Sequence, residues 1–234
     1  MPSANRGLRW VVTDIDGTIT DNLGRLDLDA VRLMRELEDR GISVGLVSGR
    51  PFPMVLMLGE YIGLSGPLIA ENGGAIRFRG ANEVLGSRTI ATDATRQLQE
   101  RLPIRMTWDD EWRVSDCAIE PSVTVADILG TLQELPIDVE VQASSIMIHI
   151  AKKAVTKGTA MEHWLANAGE SRDGVLVAGD SDTDEGMFQA FSTSIAPSNS
   201  TAPILRLASY RASAGYAAGF CEGLKHFREL GLLP

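Results

Sequence analysis

Two aspartates on alternate residues, Asp14 and Asp16, stand directly after an apolar run and open the turn Asp14-Ile15-Asp16-Gly17-Thr18. If such a turn rotates the second carboxylate inward, both groups face one ligand, and a divalent cation makes that arrangement tolerable. The competing role is an Asx-type turn capping the next helix, since Asp and Gly are ordinary turn residues. A second acidic cluster, Gly179-Asp180-Ser181-Asp182-Thr183-Asp184, also follows an apolar run. Oxygen-only donors of this kind suit Mg2+, which keeps several waters and takes few protein carboxylates, while helix N-capping is the alternative for Asp182 and Asp184. A calcium loop of the EF-hand kind does not fit, because a count from Asp180 puts Glu185 and Phe191 where Gly and Glu are required.

The elements that must position these groups alternate along the chain. Strands are predicted over residues 8–13, 42–47 and 68–70, and again over 174–178, near Ser194 and at Tyr210. Helices fall between them. The first begins at about Asp29, with Leu26, Ala30, Leu33, Met34 and Leu37 at helical spacing, Asp27 as N-cap and Gly41 as stop. Pro51 and Pro53 open a second helix that runs through about Leu58. Later helices are predicted over 158–167, from the acidic loop to Ala190, after Thr201, and through Leu230. Alternation of this kind implies an α/β fold, a parallel sheet with helices on both faces, whose site lies at the carboxyl ends of the strands. Asp14/Asp16, Ser48/Gly49, Asn72 and Asp180/Asp184 all fall at such ends and so converge on one crevice.

Between residues 80 and 155 the texture changes, with aromatic and charged residues interleaved around Met106 to Ile119. A helix over 124–135 and strands over 138–142 and 145–150 make this span a small inserted α/β unit. The expected division is therefore a core of residues 1–79 and 156–234 carrying an insert of 80–155.

Composition narrows the function classes. Of 234 residues, 44% are hydrophobic and 23% charged, which sets aside disordered, collagen-like and disulfide-dense chains. Lys plus Arg number 22 against 31 Asp plus Glu, and the net charge of −9 argues against nucleic acid and anionic membranes as partners. Cys117 and Cys221 lie far apart without a metal-binding spacing. Residues 1–6 read as a short polar tail, no signal-peptide core follows, and no stretch reaches 18 uncharged apolar residues, so a cytoplasmic protein is expected.

In order, Asp14-x-Asp16-Gly17-Thr18, Ser48-Gly49-Arg50, Lys157-Gly158 and Gly179-Asp180-Ser181-x-x-Asp184 resemble the four motifs of the haloacid dehalogenase-like phosphatases. The resemblance implies a Rossmann-like core and identifies the insert with the C2-type cap of the Cof-type and sucrose-phosphatase-like branches. Glu71-Asn72-Gly73-Gly74, the Trp112-Arg113 pair and the ending Lys225-His226-Phe227 look most like the archaeal-type phosphoglycolate phosphatases. By that resemblance Asp14 is the nucleophile and Asp16 the acid and base. Ser48, the Gly49 N–H and Lys157 hold phosphoryl oxygens, and Mg2+ sits among Asp14, Asp180 and the Asp16 carbonyl. Asp184 is either a metal-shell group or the partner of Lys157; Thr183 stands before it where many relatives have Asn. The implied ligand is a small phosphorylated metabolite, handled by a monomer or homodimer. Phosphoglycolate is the first expectation, a sugar phosphate or phosphosugar acid the second, and a phosphomutase the third.

Read singly, Lys157 is an ordinary surface lysine, and the motifs around it are what change its reading. Arg50 either touches substrate or supports its loop, and Asn72 either orients Asp180 and metal waters or marks a turn. The insert, which must read what the phosphoryl motifs do not, carries eight basic against twelve acidic residues over 79–155, and a net charge of −4 suits a small substrate better than a polyanion. Within it Arg113 can take a carboxylate through two parallel hydrogen bonds or pair with neighbouring acids, and His149 is either a second reader or a satisfied strand residue.

Overall fold

The computed structural model describes residues 7–144 and 146–234; the expected tail over 1–6 and the first residue of the strand expected over 145–150 lie outside them. The chain opens with β1 (Trp10–Thr13), α1 (Leu28–Asp39), β2 (Ser43–Val47), α2 (Phe52–Ile62) and β3 (Leu68–Ala70). A hairpin of β4 (Ala75–Phe78) and β5 (Ala81–Val84) follows. Next come α3 (Arg88–Gln99), β6 (Cys117–Ile119), α4 (Val125–Gln133), β7 (Val139–Ala143) and β8 (Ile148–Lys152). The chain then returns through α5 (Lys157–Ala168), β9 (Val175–Ala178), α6 (Glu185–Ala190), β10 (Thr193–Ala196), α7 (Ala202–Leu207), β11 (Tyr210–Arg211) and α8 (Tyr216–Glu229).

Eight strands form one sheet in the order β11-β10-β9-β1-β2-β3-β4-β5, and β6-β8-β7 form a second, antiparallel one. The expected parallel sheet is present from β11 to β3, extended by the antiparallel β4 and β5. Because β5 belongs to the large sheet, the expected boundary at residue 80 falls inside the hairpin, and the chain leaves that sheet only after Val84. Neither hairpin strand shows an apolar run; β5 is exposed throughout and has no buried face to impose alternation. The helix α3 likewise escapes the apolar pattern, since its buried face is Ala91, Ala94, Thr95 and Leu98.

Side chains of β1 alternate between two cores, as a sheet covered on both faces requires. Val11 packs with Leu33, Met34, Leu37, Val55, Phe220 and Leu224 from α1, α2 and α8. Trp10 and Val12 pack with Met161, Trp164 and Phe188 on the α5 and α6 side. There Trp10, Phe78 and Trp164 meet edge to face, with centroids 5.1 to 5.8 Å apart, the geometry aromatic quadrupoles favour. A third core, with Leu98, Ile119, Ile128, Ile148 and Ile150, lies between α3, α4 and the small sheet.

Local signals act where expected. Asp27 accepts the Ala30 N–H at the start of α1, and Gly41 follows the helix with φ +83°. The helix α2 runs a turn beyond the expected stop at Leu58 and ends at Gly63, in the left-handed conformation.

At the opposite end of the sheet, Glu222 of α8 ties down the chain after β11. It accepts hydrogen bonds from Ser213 N (2.9 Å), Ser213 Oγ (2.8 Å), Ala214 N (3.0 Å) and the Tyr210 hydroxyl (2.8 Å). These donors, the Ser213 N–H foremost, hold its pKa down to about 2. A carboxylate depressed on folding stabilises the fold above its ordinary value of 4.5 and loses that contribution as pH falls toward 2. Glu222→Gln is therefore expected to cost about 1 kcal/mol at neutral pH, after allowance for solvent screening. Urea titrations should show that difference shrinking between pH 4.5 and about 2; a cost that stays constant across the range would contradict the assignment.

Candidate active site

The four predicted motifs meet in one cleft, at the carboxyl ends of β1, β2, β3 and β9. Its lining includes Asp14, Asp16, Ser48, Gly49, Arg50, Asn72, Lys157 and Asp180 from the large unit, with His149 of β8 and Ser144, Ile146 and Met147 from between β7 and β8. The cleft is open to solvent on one side and has a volume of about 70 Å3, space for on the order of five water-sized groups.

Parallel pairing of β1 with β9 sets the two acidic loops side by side, Thr13 opposite Ala178, and the Asp14 N–H donates to the Ala178 carbonyl at 2.9 Å. Gly17 allows the loops to close. Its φ is +84°, and a Cβ there would collide with the Asp180 carboxylate. Thr18 Oγ1 donates to Asp180 Oδ1 at 3.1 Å. Asn199 Nδ2 bridges the Gly17 carbonyl (3.0 Å) and Asp180 Oδ2 (3.4 Å).

Lys157, the first residue of α5, is buried and reaches both loops, 2.6 Å from Asp14 Oδ1 and 2.7 Å from Asp184 Oδ1. Burial opposes its charge, but the two carboxylates outweigh burial and raise its pKa further. The other Asp184 oxygen accepts the N–H groups of Asp180 (3.0 Å) and Ser181 (2.9 Å). Asp184 thus pairs with Lys157, the second of the two roles named for it, while it also stands in the acidic cluster of the first. Thr183 Oγ1 pairs locally with Ser181 Oγ at 2.8 Å.

Asp14, Asp180 and Asp184 each offer an oxygen within 4.8 Å of the others, and one ammonium faces these three carboxylates. Burial foremost, then Asp184 and Asp180, hold Asp14 well above the ordinary carboxylate range, although Lys157 pulls the other way. Burial and Asp184 push Asp180 up to about 7. An all-oxygen cluster short of two positive charges is chemically matched to a hard divalent cation.

Asp16 does not join that cluster through its carboxylate. Arg50 holds it in a two-point pair, Nε to Oδ2 at 2.8 Å and Nη2 to Oδ1 at 2.6 Å. Ser48 and Gly49 lie on the same cleft, with the Arg50 N–H on Ser48 Oγ at 3.1 Å. Asn72 is in the left-handed region (φ 52°), and its buried Nδ2 has no hydrogen-bond partner among the described residues.

The two insert candidates separate. His149 lies within β8, not at the end of a strand, and lines the cleft. Arg113 is fully buried behind it, donating to the Gly49 carbonyl and Asp116 Oδ1 at 3.0 Å each, so it does not reach the cleft as a carboxylate reader would. Asp116, bonded to His149 Nδ1 at 2.7 Å, and Asn199 are the residues that sequence reasoning left without a role. Each sits in a loop among other polar residues, with no spacing to mark it.

The chain matches the haloacid dehalogenase-like hydrolase family over residues 11–104 and 123–220, and it belongs to that family. It is 32% identical to a phosphoglycolate phosphatase of Methanothermobacter thermautotrophicus, over 94% of this chain and 99% of that one. It is 33% identical to a phosphoglycolate phosphatase of Methanospirillum hungatei, over 94% and 97%. Among solved structures, Thermoplasma acidophilum 0175 shares the fold with a TM-score of 0.87 at 24% identity, covering 95% of this chain and 99% of that one. No helix among the described residues is long and apolar enough to cross a membrane.

The raised Asp180 gives a pH signature for the metal-free protein. A carboxyl raised on folding contributes stability that is full below its ordinary value of 3.8 and lost as pH rises through about 7. In excess chelator, Asp180→Asn is expected to melt at a higher temperature than the parent above pH 7 and at the same temperature below pH 4. A parent that is the more stable at pH 8 in chelator would contradict this.

Proposed function

We propose that the protein is a Mg2+-dependent phosphatase of a small phosphate ester, phosphoglycolate by analogy with its named relatives, acting through an aspartyl-phosphate on Asp14. The observation that carries this reading is the buried Asp14 carboxylate, fixed 2.6 Å from Lys157 and beside Asp180 at one end of a cleft that also presents Ser48 and Gly49. Asp14 and Asp180, with the Asp16 backbone carbonyl, would hold Mg2+, which when bound screens the repulsion between an anionic nucleophile and an anionic phosphate.

The chain's own groups divide the remaining work. An Asp14 oxygen attacks phosphorus as the bond to the ester oxygen breaks, and Asp16 gives that oxygen its proton. Asp16 then takes a proton from water, whose oxygen attacks phosphorus and releases phosphate and free Asp14. Ser48 Oγ and the Gly49 N–H donate to non-bridging oxygens, and Lys157 supplies a fixed positive charge. For Asp16 to reach the ester oxygen, Arg50 must give up one of its two bonds to it while keeping the other.

Asp14→Asn is expected to bring phosphate release below about one per cent of the parent rate, since an amide is neither nucleophile nor anionic ligand. Excess chelator is expected to do the same to the parent, Mg2+ to restore it, and Ca2+ to inhibit, because calcium prefers more ligands and longer bonds. Phosphate-release assays on phosphoglycolate check all three; full turnover in chelator, or by Asp14→Asn, would overturn the mechanism.

A further inference from the structure

The cleft has two unlike walls. Phosphorus must sit on the core wall, in reach of Asp14, Ser48 and Lys157, so whatever the phosphoryl group is attached to faces Ser144, Ile146, Met147 and His149. His149 is the one titratable residue that the small sheet contributes to the lining. Strand alternation aims it there. Ile148 and Ile150 enter the third core, and His149 between them points to the other face, in the central strand between Ala118 and Gln142.

Its partners fix the ring. Nδ1 lies 2.7 Å from Asp116 Oδ2, so Nδ1 carries a proton and Nε2 is the atom left for the cleft. A Cβ on Gly49 would lie 3.1 Å from both His149 Nε2 and Asn72 Oδ1, so the two side chains flank the phosphoryl loop. Behind the ring, Arg113 holds Asp116 at 3.0 Å and Asp109 at 3.8 Å, all three side chains being buried. Two carboxylates against one guanidinium leave a single negative charge behind the ring. Burial raises the Asp116 pKa, but His149 and Arg113 outweigh burial and hold it below the ordinary carboxylate value. On the core wall the other cations are committed, Arg50 to Asp16 and Lys157 to Asp14 and Asp184. Asn72 is among the residues that line the same cleft, and its buried Nδ2 is a donor with no acceptor among the described residues.

We propose that His149, taking a second proton from solvent at Nε2 as the anion binds, and Asn72 form a donor subsite for a carboxylate on the organic end of the substrate, with Asp116 the positioning residue that holds His149 in place and Arg113 the clamp that ties Asp116 to the Gly49 carbonyl. The site then selects a short phosphate ester bearing a carboxylate over a neutral one. This inference rests on the phosphatase reading and deepens it.

The test compares phosphoglycolate with 2-hydroxyethyl phosphate, in which a hydroxymethyl group replaces the carboxylate. For His149→Ala, the loss in kcat/KM on phosphoglycolate is expected to exceed the loss on the neutral ester by about tenfold or more, chiefly through KM. Asp116→Asn is expected to shift the same ratio in the same direction, and to add no further shift once His149 is alanine. A merely structural Asp116 would lower both esters alike and add to the His149 effect. Equal losses on the two esters, or a parent enzyme that turns over both without preference for phosphoglycolate, would overturn the subsite and leave the phosphatase reading standing. A parent that hydrolyses neither ester with Mg2+ would overturn both.

Discussion

One buried ammonium organises this molecule. Lys157 Nζ stands between Asp14 and Asp184, which come from loops 170 residues apart in sequence, and each of the three side chains is almost wholly removed from water. A buried charge costs several kcal/mol unless it is paired and hydrogen-bonded, so the two acidic loops and the start of α5 have to arrive together. The surrounding structure serves that requirement. The pairing of β1 with β9 brings the loops side by side, Gly17 lets them close, and the second Asp184 oxygen gathers the N–H groups of Asp180 and Ser181. What remains unbalanced is negative. Burial and that excess together raise the carboxyls of Asp14 and Asp180.

A second set of buried charges links the small sheet to the core. Glu71, from the loop after β3, accepts the N–H groups of Phe52, Val114 and Ser115 at 3.0, 3.1 and 2.7 Å, and Arg113 donates to the Gly49 carbonyl. The loop that carries Asp116 is therefore bonded to the same segments that carry Ser48, Gly49 and Asn72. One wall of the cleft cannot shift against the other without breaking hydrogen bonds to charged groups, each worth about 1.5 to 3 kcal/mol.

Much of this was legible in the sequence, for a physical reason. Strands buried on both faces, such as β1 and β9, read as apolar runs, and each ends in a polar turn whose residues have few structural uses in combination. Asp14, Ser48 and Asp180 could be placed in one crevice because parallel strands end on the same side, whereas Lys157, at the start of α5, was legible only through the motifs around it. Sequence was mute where burial is partial or the buried residues are small, as in β5 and in the alanine face of α3. It was equally mute where a role depends on distance across the fold. Nothing about Arg113 or Asp116 distinguishes an exposed guanidinium from one enclosed behind His149, and only the packing of the small sheet on the core decides it.

In the proposed mechanism Asp14, steadied by Lys157, becomes covalently phosphorylated, and Asp16 is needed to release the phosphate. The most direct measurement is to mix Asp16→Asn protein with Mg2+ and an activated aryl phosphate, whose leaving group needs no proton, quench in acid, and map the peptides by mass spectrometry. The expected result is close to one phosphate per chain, on the peptide containing Asp14, formed within a single turnover and persisting. Phosphate on another residue, or no covalent phosphate in a variant that still turns over the ester at the parent rate, would contradict it.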